Sequence, residues 1–396
     1  MNKPNPYRPG AGLMPTYVAG RDEIVSEVSG LYEAMLAGIP VQSVIISGLR
    51  GVGKTVLINR LQAIAEEAGV FTKYIEIEEK KDFISQIASC AQAYLREAEK
   101  KEKLKNIIRK GMDAIKALSL SFDPNSGNLS LSVQDRDLYH SYNLPQSLTD
   151  VFQAIGEVAQ KTEHPVCFFV DEIQYMRTEE LGALISALHR SNQLGYPLIV
   201  IGAGLPKLLK MLADEKSYAE RLFTYHEIGS LTEKEAELAI CEPAKKIRVT
   251  YEDTAVRRII EITKGYPFYV QQFCQIVFQR TEREIIALKD VEDAVAVYYH
   301  TLDGGFFRAR YERCSDTEKE FTFAMAKCGS LPCEIAEVAR ILGRKTTSVS
   351  PYRAKLINKG IVYAVRHSAL DFTVPEYDAF LRRCEDFHAW DRGIKS

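Results

Sequence analysis

The sequence predicts an α/β domain built on a parallel sheet, followed by an all-α domain and a helix-turn-helix unit with a two-stranded wing. Three observations predict it. Short apolar runs rich in β-branched residues alternate with helical periodicity through the first 230 residues. The pattern then turns wholly helical from Leu231 to about Tyr299. Near the C-terminus two helices flank a polar turn and two strand-like pieces follow.

Taken in order, residues 1–40 begin with a Pro/Gly-rich arm and continue into a helical stretch, Asp22–Ala37. Val41–Ser47 is a short apolar strand bounded by glycine, and Leu57–Ala68 has helical periodicity. Phe71–Ile77 alternates with period two, as a half-exposed strand does. Pro165–Val170 and Pro197–Ile201 are continuous apolar runs, the signature of strands buried on both faces. A long interval, about residues 80–145, is expected to hold a charged helix (Asp82–Lys116) and an inserted β-hairpin. The hairpin strands would be LSLSF (118–122) and LSLSV (129–133), joined by the turn residues Asp123–Asn128. Such an insert is either a surface ornament or an arm that contacts a partner. In the helical region, Thr232 is the expected N-cap of the first helix, and Asp303-Gly-Gly305 the expected connector. The domains read as 1–230, 231–305 and 312–390.

Composition excludes several classes. With 46% hydrophobic and 26% charged residues, the chain is not intrinsically disordered. Its net charge of −2 shows no global basic excess, so any nucleic-acid contact must come from a local patch. No apolar run reaches the ~18 residues of a membrane span, and Met1–Gly12 lacks the apolar core of a secretory signal. No membrane partner is expected. The eight cysteines lie mostly in apolar segments; Cys328 and Cys333 have no second pair at zinc spacing. They read as reduced core thiols of a cytoplasmic protein.

The strongest local signal is Gly48-Leu-Arg-Gly-Val-Gly-Lys54-Thr55, a G-x4-G-K-[ST] match that follows a strand and opens a helix. Glycines at these positions let successive backbone N–H groups turn inward around an anion, and the helix start adds partial positive charge. Gly48, Gly51, Val52, Gly53 and Lys54 would hold the phosphates, and the Thr55 hydroxyl would ligate Mg²⁺. The run Val166–Glu172 supplies the second half: Asp171 would hold the ion through water, and Glu172 would polarise an attacking water. ATP and Mg²⁺ are the implied ligands.

On these motifs the chain resembles the AAA+ superfamily of P-loop ATPases, near the branch that holds the origin-recognition ATPases and the STAND switch ATPases. The fold class that follows is an α/β P-loop NTPase domain with a parallel sheet, then an all-α lid and a winged helix-turn-helix domain. The resemblance implies that Val18-Ala-Gly20-Arg21 wraps the adenine and that Gly265-Tyr-Pro267 brings the lid to the nucleotide. It implies that Arg221 acts as an arginine finger on a neighbour's ATP, which requires a homo-oligomer. One departure stands out. The strand Pro197–Ile201 should end in a polar side chain that senses the γ-phosphate, but it runs into Gly202-Ala-Gly204. Nor is there a clear lid arginine, Lys264 being the nearest candidate. Both gaps suit a slow switch better than a motor.

In the C-terminal unit, Glu334–Leu342 and Val349–Asn358 flank the turn Gly343–Ser348, and Ile361–Val365 and Leu370–Val374 form the wing. Between Val338 and Leu370 stand seven basic residues and no acidic one. Arg344 and Lys345 are expected on a DNA backbone, with Ser350, Arg353 and Lys355 on the helix that would enter the groove. The functional expectation is a slowly hydrolysing ATP switch coupled to double-stranded DNA or to self-assembly. The alternatives are an ATP-controlled module that docks an unknown protein partner, and a nucleotide-binding scaffold that does not hydrolyse.

Overall fold

The computed structural model describes residues 3–78, 82–98, 104–120, 144–216, 218–366 and 368–394. The chain forms two compact units. The first comprises Gly20–Gly48 and Gly53–Gly229; the second comprises Met1–Ala19, Leu49–Val52 and Ser230–Ser396.

In the first unit, β1 (Ser43–Ser47), β2 (Phe71–Glu76), β3 (Val166–Asp171), β4 (Leu198–Gly204) and β5 (Phe223–Glu227) make one parallel sheet in the order β2-β3-β4-β1-β5. Every residue of β1, β3 and β4 is buried, whereas the edge strand β5 alternates. That is why the central strands read as unbroken apolar runs. The helices are α1 (Asp22–Leu36), α2 (Lys54–Glu67), α3 (Phe83–Ala98), α4 (Lys105–Leu120), α5 (Leu144–Thr162), α6 (Thr178–Gln193) and α7 (Lys207–Glu215). In α1, Val25, Val28, Tyr32 and Met35 recur at helical spacing and are all buried.

Three expectations change here. The segment Asp82–Lys116 is not one helix: it supplies α3 and α4, with residues 99–103 outside the described set. Residues 118–120, expected in a strand, close α4. Leu104, Ile108, Ile115 and Leu118 are buried at helical spacing, and that stripe overrides the short LSLSF alternation. The rest of the expected hairpin lies outside the described residues. Finally, β4 extends three residues past Ile201, to Gly204.

In the second unit, α8 (Glu233–Lys245) starts at Thr232, whose hydroxyl accepts the Glu235 N–H at 3.4 Å while Glu235 accepts the Thr232 N–H at 2.8 Å. The region is not wholly helical. Between α8 and the next helices, β6 (Thr250–Tyr251) pairs in parallel with β7 (Ile285–Ile286). The helices are α9 (Asp253–Thr263), α10 (Pro267–Arg280) and α11 (Leu288–Thr301). The expected connector is itself helical: a π-helical turn, Leu302–Phe307, carries α11 into α12 (Arg308–Tyr311).

Next come α13 (Asp316–Lys327), β8 (Cys333–Glu334), α14 (Ile335–Ile341), α15 (Thr346–Asn358), β9 (Val362–Arg366) and β10 (Ala369–Phe372). The three strands form an antiparallel sheet in the order β8-β10-β9. The chain ends in α16 (Tyr377–Arg383) and α17 (Glu385–Ile394). The N-terminal arm packs in this second unit rather than with the α/β layer to which the sequence reading gave it. Tyr7 is buried and donates its hydroxyl to the Ile240 carbonyl at 2.6 Å, and Lys3 bonds the Arg248 carbonyl and Glu284. Among the described residues no helix is long and apolar enough to cross a membrane.

Candidate functional site

In the first unit, β1 delivers the chain to Gly48, whose N–H donates to the Gly204 carbonyl at 3.2 Å and prolongs the β1–β4 ladder. Gly53 has φ 92°, a conformation that only glycine adopts at little cost, and α2 begins on the next residue. The N-cap of α2 is Gly53 itself, which has no side chain to cap the helix, as suits a helix start that meets an anion. Lys54 is buried, and its ammonium donates to the Gly48 carbonyl at 3.0 Å.

Asp171 ends β3 beside this helix. The Thr55 hydroxyl donates to Asp171 Oδ2 at 2.6 Å, the Tyr74 hydroxyl to the same oxygen at 3.2 Å, and the Glu172 N–H to Oδ1 at 2.8 Å. Burial pushes the Asp171 carboxyl above the usual carboxylate range; the Thr55 hydrogen bond opposes that push, and the neighbouring Glu172 adds to it. A buried carboxylate touching a threonine hydroxyl is a hard-oxygen donor pair, and it fits Mg²⁺, which takes few protein ligands and keeps its waters.

Glu172 follows with φ 55°, in the left-handed region that is uncommon for a non-glycine residue. Its Oε2 accepts from the Gln174 side-chain amide, and Gln174 Oε1 accepts the Leu205 N–H at 2.9 Å. Sequence reasoning missed Tyr74 and Gln174. Tyr74 lies on the neighbouring strand β2, and only strand order brings it to Asp171. Gln174 sits two residues past the acids, and no sequence pattern marks it.

The residues Leu49–Val52 of the glycine-rich loop count with the second unit. There the Phe268 N–H donates to the Gly51 carbonyl at 3.2 Å, the Tyr266 hydroxyl to the Arg50 carbonyl, and the Arg50 N–H to the Thr373 carbonyl at 3.2 Å. Gly51 has φ 86°, and a Cβ there would come within 3.1 Å of the Tyr266 ring. The segment Gly265–Pro267 makes these contacts possible. Gly265 has φ 66°, and a Cβ on it would stand 2.5 Å from the Leu231 carbonyl oxygen; Pro267 opens α10.

Val18 is half-buried in the N-terminal arm. Gly20, in the first unit, has φ 66°, and the buried Arg21 guanidinium donates to the Gly20 and Gly229 carbonyls at 2.7 and 2.8 Å. Lys264 pairs with Glu376, so it is engaged inside the second unit. Arg310, which the sequence did not single out, lies 4.0 Å over the Phe306 ring and donates to the Phe306 carbonyl at 2.6 Å. Burial, together with the Arg50 charge, pushes it down to about 10. Arg221 closes a short turn before β5 and is exposed. Its carbonyl accepts from Gln42 at 2.6 Å, and among the described residues its guanidinium has no ion-pair partner.

The C-terminal basic patch is less naked than its sequence. Arg340 pairs with Glu337, Arg344 with Glu320 at 3.1 Å, Lys359 with Glu318 at 2.6 Å and Arg366 with Glu334 at 2.6 Å. The four glutamates all lie outside the acid-free window, and the fold brings them in. Lys345, at the start of α15, and Lys355 are exposed; Arg353 is half-buried; Ser350 turns its hydroxyl back to the Thr346 carbonyl at 3.0 Å.

Residues 17–201 match the model of the AAA ATPase domain family, and residues 304–381 match that of a domain of unknown function (DUF8462). No curated protein matches the chain. A Walker-type ATPase of Pyrococcus abyssi is similar in structure at 14% identity and a TM-score of 0.53, over 92% of this chain and 96% of that one. Aeropyrum pernix Orc1, solved in complex with DNA, is similar at 14% identity and a TM-score of 0.46, over 95% of both chains. The Thermotoga maritima RuvB Holliday junction branch migration motor is similar at 15% identity and a TM-score of 0.44, over 92% and 95%. The Pyrococcus likeness shows a shared fold. The segment that matches the AAA ATPase domain family, residues 17–201, contains the glycine-rich loop between β1 and α2.

Proposed function

We propose that the protein binds ATP with Mg²⁺ on Gly48–Thr55 and hydrolyses it slowly, as a two-state switch whose output is its C-terminal unit. One observation carries the reading: the Thr55 hydroxyl and the Asp171 carboxylate meet at 2.6 Å beside the buried Lys54. Lys54 exchanges the Gly48 carbonyl for the β- and γ-phosphates. Thr55 and Asp171 orient the metal's ligand shell, and the bound ion supplies charge neutralisation at the phosphates. Glu172 orients and polarises the attacking water. The strands Cys333–Phe372 with α14 and α15 read as a winged helix, for which double-stranded DNA is the first candidate partner. Exposed Arg221 suits action on a neighbouring copy. Within the second unit, Arg50 and Gly51 of the loop are hydrogen-bonded to Thr373 and Phe268, and the chain runs on from them to Gly53 and Lys54, so a change at the phosphates has a covalent path to that unit.

A second reading, docking of a protein partner under ATP control, is favoured by the ion pairing of Arg340, Arg344, Lys359 and Arg366. The test is ATP turnover by wild type, Lys54→Ala and Glu172→Gln, with and without duplex DNA at low salt. Lys54→Ala is expected to lose nucleotide binding. Glu172→Gln is expected to bind ATP and to lose turnover by roughly 100-fold or more. Turnover that survives both substitutions sinks the ATPase reading; turnover indifferent to DNA favours the protein-docking reading.

A further inference from the structure

We propose that Gln174 is the positioning residue for Glu172, and that it couples the carboxyl end of β4 to the group that orients the attacking water; this rests on the ATPase reading above. The starting point is the end of β4, where a side chain facing the phosphates was expected and glycines stand instead. The structure gives those glycines another purpose. A Cβ at position 202 would lie 2.3 Å from Ile173 Cδ1 and 3.0 Å from Ile45 Cδ1. A Cβ at position 204 would lie 2.6 Å from Gln174 Oε1 and 2.9 Å from Leu208 Cδ2. The two glycines therefore clear the space that the turn Ile173–Tyr175 occupies.

Into that space Gln174 inserts with only 3% of its surface exposed. Its Oε1 accepts the Leu205 N–H at 2.9 Å, one residue past β4, and its Nε2 donates to Glu172 Oε2. The orientation of the amide follows from chemistry. Reversed, it would set its oxygen against a carboxylate and its NH₂ against a backbone N–H, losing both bonds. The amide is planar and rigid, so anchoring one end at Leu205 fixes where the other end holds the carboxylate. The bond to Leu205 is buried, where a lost partner costs most, and the bond to Glu172 is partly buried. Glu172 itself stands in the left-handed region, φ 55°, a strained backbone that persists only where the surrounding structure holds it. A polar group is thus present at the end of β4 after all, supplied from the turn that follows β3 rather than from β4 itself.

The experiment measures kcat and the affinity for a fluorescent ATP analogue on the full chain. The variants are Gln174→Leu, Gln174→Glu, Glu172→Gln and the double variant Glu172→Gln with Gln174→Leu. Gln174→Glu keeps an acceptor for Leu205 and removes the donor to Glu172, so it separates positioning from support of the strand. We expect both Gln174 variants to lower kcat by about 10- to 100-fold and to leave analogue affinity within about twofold of wild type, and Gln174→Leu to add no further loss to the residual rate of Glu172→Gln. Full kcat in either Gln174 variant overturns the inference. So does a loss of affinity parallel to the loss of kcat in both, which is the mark of a structural role, or an additive loss in the double variant. Wild-type turnover by Glu172→Gln overturns the assignment of Glu172 and this inference with it. An inactive Glu172→Gln beside a fully active Gln174→Leu overturns the inference alone.

Discussion

Lys54 and Asp171 show at residue scale what the site holds ready. The Lys54 ammonium is buried on the Gly48 carbonyl and the Asp171 carboxylate on the Thr55 hydroxyl, two polar contacts between groups that a phosphate and a cation would take over. Gly265 illustrates the opposite, a position with no tolerance. Its φ of 66° and the 2.5 Å gap to the Leu231 carbonyl set backbone against backbone. Gly265→Ala is therefore expected to destabilise the full chain by about 1–3 kcal/mol, read as a lowered urea midpoint. A loss under about 0.5 kcal/mol would show that the Leu231 backbone yields freely.

At the scale of elements, α13 and the end of α15 are joined by one ion pair. Glu318 is 2% exposed; it accepts the Ser315 N–H at 2.8 Å as part of a capping box and pairs with Lys359 at 2.6 Å. Burial pushes the Glu318 carboxyl up, but Lys359 and the Ser315 N–H outweigh it, and the group ends below the usual carboxylate range. A folded-state pKa below the unfolded one contributes stability that is complete above the ordinary carboxylate range and is lost as pH falls through the folded value. Glu318→Gln should thus cost about 1–3 kcal/mol at neutral pH. The difference from wild type should shrink as pH is lowered through the acid range, measured by denaturant melts at stepped pH. A pH-independent difference would mean that Glu318 acts through packing alone.

For the whole molecule, a net charge of −2 means that any DNA affinity must be local. Of the patch's seven basic residues, Lys345 and Lys355 are exposed and stand outside the four ion pairs. If those two neutralise phosphates, log K against log salt should have a slope of about −2, a loss of roughly 15-fold between 50 and 200 mM salt. Arg344→Glu with Lys345→Glu should weaken binding further. A slope near −6 would show that the glutamates surrender their partners to DNA, and no binding at low salt would leave protein docking as the output.

By itself the sequence determined the strand–helix alternation, the glycine-rich loop with Lys54 and Thr55, and the acids at the end of β3. Each of these is local: apolar periodicity, glycine placement and strand-end chemistry act over a few neighbouring residues. Local patterns can also compete, and at residues 118–120 the longer helical stripe of α4 won over a short alternation. Tertiary structure alone decided which charges are neutralised, which strand brings Tyr74 to Asp171, and where Gln174 finds its second partner. It also decided that the N-terminal arm, by way of Tyr7 and Ile240, folds with the second unit. The physical reason is range. Hydrogen bonds and ion pairs are set by distances of about 3 Å, and residues more than 100 positions apart, such as Thr55 and Asp171, share no local signal that they will meet at that distance.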